Sequence, residues 1–203
     1  MSARARLGVL VSGRGSNMVA LAQACTDGAV DAEVALVVSN LPGAPALARA
    51  AERGIPTAVF DHRGASREAH DARMIGALEQ ADVSTICLAG YLRLLSPAFV
   101  RRYEGRILNV HPSLLPAFPG LDAQAQALAH GVKITGCTVH LVDEQLDHGP
   151  ILAQYAVPVL DDDTVETLSL RILEAEHRTY PKALAAFLSG PLRSDSRGVQ
   201  SQP

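Results

Sequence analysis

Apolar residues in the first half of the chain come in short runs. Each run ends in a polar or glycine-containing segment, and a helical pattern follows most of them. Leu7 to Val11, Val34 to Val38, Pro56 to Phe60 and Thr85 to Ala89 are four such runs. The intervening patterns carry Met18, Val19, Leu21, Ala22 and Cys25 on the first helix, an Ala-rich stretch from Pro45 to Arg53 closed by Gly54, and Met74, Ile75 and Leu78 on a helix running to about Gln80. Ser16 or Asn17 is the expected cap of the first helix and Ser66 that of the third, while Ser96-Pro97 opens a short fourth. A fifth apolar run, Ile107-Leu-Asn109-Val-His111, must stop at Pro112, which has no N–H to continue a ladder. Apolar strands alternating with helices predict a mostly parallel α/β sheet covered on both faces.

The pattern changes after Pro116. Leu121 to His130 suits a helix. Ile134 to Val142 and Ile151 to Val159 are β-rich runs joined by Asp143 to Gly149, which predicts an antiparallel C-terminal hairpin. Asp163 and Glu166 have the spacing of a capping box. The helix behind them carries Leu168, Ile172 and Leu173 and is expected to bend or break near Pro181. The stretch 189–203 is rich in Gly, Ser, Pro, Arg and Gln, and is expected to be a disordered tail. One domain over residues 1–188 is the simplest division.

Composition narrows the class. The chain has 203 residues and a net charge of −3, with no basic stripe of the kind that binds nucleic acid. No apolar run approaches a membrane span. Arg4 and Arg6 precede an apolar run too short for a signal sequence. Three cysteines, Cys25, Cys87 and Cys137, are widely spaced in apolar settings and read as reduced core thiols. These features point to a cytoplasmic protein with neither nucleic-acid nor membrane partners.

Three places carry candidate chemistry. Gly13, Gly15, Ser16 and Asn17 sit where a strand turns into a helix, and free backbone N–H groups there suit a phosphate. Met18 stands where a dinucleotide fingerprint needs its third Gly, and Ser39-Asn40 where it wants an acid, so a phosphate monoester fits better. Arg93, with Leu94 and Leu95, ends the fourth strand as an apolar wall with one charge, which suits a flat ligand or else lies over a surface patch. Asn109 and His111 are two apart and share a face at a strand's carboxyl end. A carboxylate beside His111 would favour its imidazolium form, and Asp147 in the hairpin loop is the candidate. His140 reads as a paired strand residue, and His130 and His148 as exposed. No metal-ligand spacing is present. Ser113 lacks the elbow of a serine hydrolase.

Ser12-Gly-Arg-Gly-Ser-Asn17, Leu88-Ala-Gly-Tyr-Leu-Arg93, Asn109-Val-His-Pro-Ser-Leu-Leu-Pro116 and Leu146-Asp-His-Gly-Pro150 occur in an order and at separations that resemble the phosphoribosylglycinamide formyltransferase family, folate-dependent enzymes of purine synthesis. The likeness runs from Leu7 to about Leu188. It implies a Rossmann-like three-layer formyltransferase fold. It also implies transfer of a formyl group from 10-formyltetrahydrofolate to the amine of glycinamide ribonucleotide, with no tightly bound cofactor and no metal, by a monomer or homodimer. By the same resemblance Asn109, His111 and Asp147 are catalytic, Gly15, Ser16 and Asn17 cradle the substrate phosphate, and Glu176 meets the ribose. Arg67, Leu92, Arg93, Leu94, Leu95 and Asn109 are folate-binding. The chain departs from the family pattern at Asp122-Ala-Gln and at His148. The rival readings are a deformylase, with water as acceptor, a non-catalytic phosphate- or folate-binding module and, weakest because of Met18 and Asn40, a dinucleotide oxidoreductase.

Overall fold

A computed structural model describes residues 4–190. Seven strands form one sheet in the order β3-β2-β1-β4-β5-β6-β7. They are β1 (Ala5–Val11), β2 (Ala32–Ser39), β3 (Thr57–Val59), β4 (Thr85–Leu88), β5 (Ile107–His111), β6 (Ile134–Leu141) and β7 (Ile151–Pro158). β1 to β5 pair in parallel, and β6 and β7 join antiparallel. Six helices connect them: α1 (Ser16–Thr26), α2 (Pro45–Ala51), α3 (Arg67–Gln80), α4 (Pro97–Arg102), α5 (Ala123–His130) and α6 (Val165–Ser189). The mostly parallel sheet with its C-terminal antiparallel hairpin is the architecture expected from the strand and helix pattern.

Side-chain alternation sorts the core into two faces. Leu7, Val9 and Val11 of β1 pack with Met18 and Leu21 of α1 and with Leu168, Ile172 and Tyr180 of α6. Leu10 points the other way, into a cluster with Met74 and Leu78 of α3 and Phe99 and Val100 of α4. Gly8 shares that second face, where an added Cβ would collide with Leu78, so the absence of a side chain lets α3 lie close to the strand. Tyr180 straps α6 across the sheet: its hydroxyl donates to the carbonyls of Leu108 at 2.9 Å and Leu88 at 3.2 Å. The Leu88 carbonyl ends β4, and the Leu108 carbonyl lies directly before Asn109 in β5.

Several local expectations are corrected. Neither Ser16 nor Asn17 caps α1; Gly15 takes the cap position at φ 74°, and no side chain caps the helix. The cap of α6 is Thr164 with Thr167 as reciprocal partner, not Asp163 with Glu166. Asp163 is taken instead by Arg171, at 2.7 and 2.8 Å. Helix α6 runs unbroken through Pro181, with Thr179, Tyr180, Ala183 and Leu184 buried on both sides of it, so packing overrides the proline. Ser189 belongs to that helix and its hydroxyl donates to the Ala185 carbonyl, so the tail does not begin there. The rest of the expected tail, residues 191–203, lies outside the described residues. Helix α5 starts at Ala123 rather than Leu121, because Asp122 adopts a left-handed backbone at φ 57°. The three cysteines are free and buried, as read from sequence. Burial pushes the Cys25 thiol up to about 11 and Cys87 to about 12, which makes them poor nucleophiles.

Strand order reverses between β1 and β4, and open α/β sheets bind ligands outside the strand ends at such a switch point. Gly15 shapes that end. Its left-handed conformation turns the chain into α1, and an added Cβ would strike Ala46, 2.9 Å from its Cα. Gly15→Ala is therefore expected to cost more than about 2 kcal/mol, from the left-handed penalty plus the clash. Urea unfolding of the variant against the parent chain measures it; an unchanged midpoint would refute the packing argument.

Candidate active site

The loops after β1, β2 and β4 meet at the switch point, and Ser12 ties all three. Its N–H donates to the Gly90 carbonyl at 3.0 Å and its hydroxyl donates to Asn40 Oδ1 at 2.6 Å. The same hydroxyl accepts the Leu92 N–H at 2.9 Å. The loop after β1 is thereby fixed to the loop after β4. The latter is held from the other side as well. The buried Asp71 of α3 accepts the Ser96 N–H at 2.6 Å and faces His70 Nδ1 at 3.0 Å, while His70 Nε2 donates to the Phe60 carbonyl at 2.8 Å. Ser96 then caps α4. Residues Leu92 to Leu95 are thus pinned at both ends.

Strand β5 delivers Asn109 and His111 to one face. Beside them stand His140 and Thr138 of β6, by antiparallel register. Asp147 arrives from the β6–β7 loop, where its own backbone is left-handed at φ 50°. Gly149 lets that loop fold back onto β6, since a Cβ there would collide with the Leu141 carbonyl. The meeting expected from sequence is present: His111 Nδ1 lies 3.3 Å from Asp147 Oδ2, with side-chain exposures of 6% and 7%. Asp147 Oδ2 also accepts the Gly120 N–H at 2.8 Å, and His111 Nε2 donates to the Phe118 carbonyl at 2.8 Å. Both imidazole nitrogens face oxygen acceptors, an arrangement that the doubly protonated ring satisfies in full.

All the residues to which the resemblance gives a site role line one of two adjoining spaces. A cleft of about 920 Å³ is lined by Gly15, Ser16, Asn17, Leu92, Arg93, Leu94, Asn109, His111, Asp147 and Glu176, among others. A pocket of about 230 Å³ adds Arg67 and Leu95 and shares Arg93, Leu94, Asn109 and Asp147 with the cleft. The cleft suits a small molecule in size. The α1 N-terminus faces it with no side-chain cap, so its backbone N–H groups remain available to an anion. Arg93 is half-buried with its Nε unpartnered, which makes it a wall of the cleft rather than a surface residue. Asn17 donates from Nδ2 to Glu176 Oε2 at 2.7 Å, and its own Oδ1 is buried without a partner.

Sequence reading missed His140. It is a strand residue as expected, but its Nε2 lies 3.1 Å from Asn109 Nδ2 and 3.7 Å from Asp147 Oδ1. Burial lowers its pKa from the ordinary value, against opposing pulls from the Leu141 carbonyl and Asp147. The signal was the shared parity of Asn109 and His140 on neighbouring strands, which becomes visible only once the register is known. Of the departures from the family pattern, His148 is exposed and bonds Asp143 at 2.9 Å, away from His111. Among the described residues, no group of three or more His, Cys, Asp or Glu is placed to hold a metal, and no helix is long and apolar enough to cross a membrane.

An amide donor, an imidazole and a carboxylate converging beside an anion cradle contain the parts that acyl transfer to a phosphorylated acceptor needs. Fold and site define a group-transfer domain of the doubly wound α/β class. The formyl transferase model matches residues 5–184, and the chain belongs to that family. It is 41% identical over 190 residues to phosphoribosylglycinamide formyltransferase of Escherichia coli, covering 91% of this chain and 88% of that protein. It is 51% identical to the trifunctional purine biosynthetic protein adenosine-3 of Drosophila melanogaster, covering 92% of this chain. There the chain spans only 14% of the relative's length. A crystal structure of glycinamide ribonucleotide transformylase 1 from Symbiobacterium toebii superposes with a TM-score of 0.94 at 47% identity, covering 97% of this chain and 93% of the other.

Glu176 supplies a pH test of the site. Burial pushes its carboxyl up to about 7, and the Asn17 amide only partly offsets this. The folded chain therefore holds a proton that the unfolded chain releases from about 4.5 upward, so this group lowers stability as pH rises through the window 4.5 to 7. Glu176→Gln is expected to stabilise the ligand-free protein at pH 8 by on the order of 1–3 kcal/mol, with the gain vanishing below about pH 4.5. Denaturant unfolding at the two pH values decides it; a gain of equal size at both would exclude ionisation as its source.

Proposed function

We propose that the protein transfers the formyl group of 10-formyltetrahydrofolate to the amine of glycinamide ribonucleotide, giving formylglycinamide ribonucleotide and tetrahydrofolate in purine biosynthesis. The observation that carries this reading is that a single cleft is lined both by the uncapped α1 N-terminus and by Asn109, His111 and Asp147. A phosphate ester seated on Gly15, Ser16 and Asn17 leaves its ribose near Glu176 and its amine free to reach the polar cluster. The folate lies against Leu92 to Leu95, with Arg67 and Arg93 as the cations of the adjoining pocket. One formyltransferase domain that includes all of α6, to Ser189, acts in the cytoplasm as a monomer or homodimer. Both reactants are substrates, and no cofactor is held tightly.

The chemistry follows from the positions of the donors. The amine attacks the formyl carbon, and negative charge gathers on the former carbonyl oxygen. Asn109 Nδ2 and the His111 ring supply hydrogen bonds to that oxygen, each worth a few kcal/mol in a dry site. His111 must be released from the Phe118 carbonyl to do so, and the reacting oxygen takes that carbonyl's place. Asp147, 3.3 Å from Nδ1, orients the imidazole and accepts, directly or through water, the proton lost by the amine. The carbon–nitrogen bond to the folate then breaks, and the proton passes to the folate nitrogen. Holding both substrates in one cleft adds the advantage of orientation.

The deciding assay mixes purified protein with 10-formyltetrahydrofolate, with and without glycinamide ribonucleotide. Deformylated folate released only when the acceptor is present supports transfer. Release at the same rate without it favours the deformylase reading, and binding without turnover favours a binding module. Asp147→Asn is expected to lower kcat by about 10²–10³-fold while moving both KM values less than about 3-fold. Steady-state kinetics of the variant checks this, and parent-like turnover would remove Asp147 from the mechanism.

A further inference from the structure

His140 is a buried imidazole that the mechanism above does not use. Its surroundings fix its tautomer. Nδ1 lies 2.8 Å from the Leu141 carbonyl, an oxygen that only accepts, so Nδ1 carries the hydrogen. Nε2 lies 3.1 Å from the Asn109 side-chain amide nitrogen, which only donates, so Nε2 presents its lone pair. The ring is therefore neutral. Burial supports this state by disfavouring the charged form, although Asp147, 3.7 Å from Nε2, and the nearby Asp143 pull towards charge while His111 pushes against it.

That lone pair has a consequence for Asn109. A side-chain amide can place either its NH2 or its oxygen toward a given neighbour, and the two choices are nearly isosteric. A neutral, Nδ1-protonated His140 accepts one of the two amide hydrogens and leaves the other for the cleft. With a donor in place of the lone pair, the amide would turn its oxygen toward His140 or lose its anchor. It would then no longer offer a fixed N–H where negative charge develops.

We propose that His140 is a positioning residue for formyl transfer: its unprotonated Nε2 accepts from Asn109 Nδ2 and so holds that amide with its second N–H toward the reacting carbonyl oxygen. The proposal rests on the formyl-transfer reading of the cleft and adds a residue to it. It acts through Asn109 and touches no substrate. The β6–β7 ladder shifts register between Val139 and His140, so the strand itself is irregular where the ring is aimed.

The test is a double-mutant cycle in the intact chain. His140→Asn retains an amide near the Nδ1 position but removes the acceptor at Nε2. It is expected to lower kcat about 10–100-fold, with both KM values within about 3-fold of the parent. His140→Gln restores an acceptor oxygen near the Nε2 position and is expected to keep kcat within about 3-fold. In an Asn109→Ala background, His140→Asn is expected to change kcat by less than about 3-fold, because the amide it positions is gone. Parent-like kcat in His140→Asn, or the same fractional loss in both backgrounds, overturns the proposal, since a merely structural role would act equally in both. If the His140 variants do not fold, the imidazole ¹⁵N shifts of the parent protein decide. A protonated Nδ1 with a bare Nε2 upholds the assignment, and a protonated Nε2 overturns it. The same spectrum keeps the two readings apart, because it stays informative even if the parent protein transfers no formyl group.

Discussion

The contact on which the cleft depends is a buried carboxylate 3.3 Å from a buried imidazole. Asp147 and His111 come from segments 36 positions apart in sequence, and neither would be stable unpaired in a dry site. Several features of the C-terminal half serve their meeting. The β6–β7 loop leaves β6 beside Ile107 and Leu108 of β5 and folds back over the face of β5 that carries Asn109 and His111. Gly149 lets the loop fold back, and Asp147 accepts a left-handed backbone. The Gly120 N–H supplies a further hydrogen bond to the carboxylate. A charge held this way is fixed before any substrate arrives, and preorganised charge is what accelerates reactions that build charge in the transition state.

The rest of the site is assembled by the same rule, with buried polar groups setting loop positions. Ser12 uses its N–H and hydroxyl to join the ends of β1 and β4. Asp71 spends one carboxylate oxygen on the Ser96 N–H and the other on His70. Tyr180 pins α6 to the carbonyls of β4 and β5. Each interaction lies one or two residues from a group that lines the cleft. The apolar layers give the sheet its stability, and these few buried hydrogen bonds give its edge a definite shape.

Much of this was legible in the sequence. The apolar runs and their closing polar segments placed the strands, the four short motifs brought together Gly15, Asn109, His111 and Asp147, and the wider family resemblance added Glu176; all five line one cleft. What stayed hidden depended on register or on competition between neighbours. His140 could not be tied to Asn109 until β5 and β6 were aligned. Ser16 and Asn17 looked like helix caps, but Gly15 makes the turn and Asn17 is claimed by Glu176, 159 positions away. Asp163 had the spacing of a cap and was taken by Arg171 instead. Pro181 looked like a helix breaker, yet α6 passes through it because its buried face continues on both sides. Local chemistry proposes partners, and tertiary packing chooses among them.

The central claim is that the phosphate cradle and the Asn109–His111–Asp147 cluster serve one reaction in one cleft. The most direct measurement is a crystal structure of the protein with glycinamide ribonucleotide and an unreactive analogue of 10-formyltetrahydrofolate. The phosphate is expected on the backbone of Gly15 to Asn17 and the amine about 3–3.5 Å from the analogue's carbon at the formyl position. The Asn109 amide and the His111 ring are expected within hydrogen-bond reach of the oxygen there. A phosphate bound elsewhere, or an amine that cannot approach that carbon while Asp147 remains beside His111, would contradict the claim.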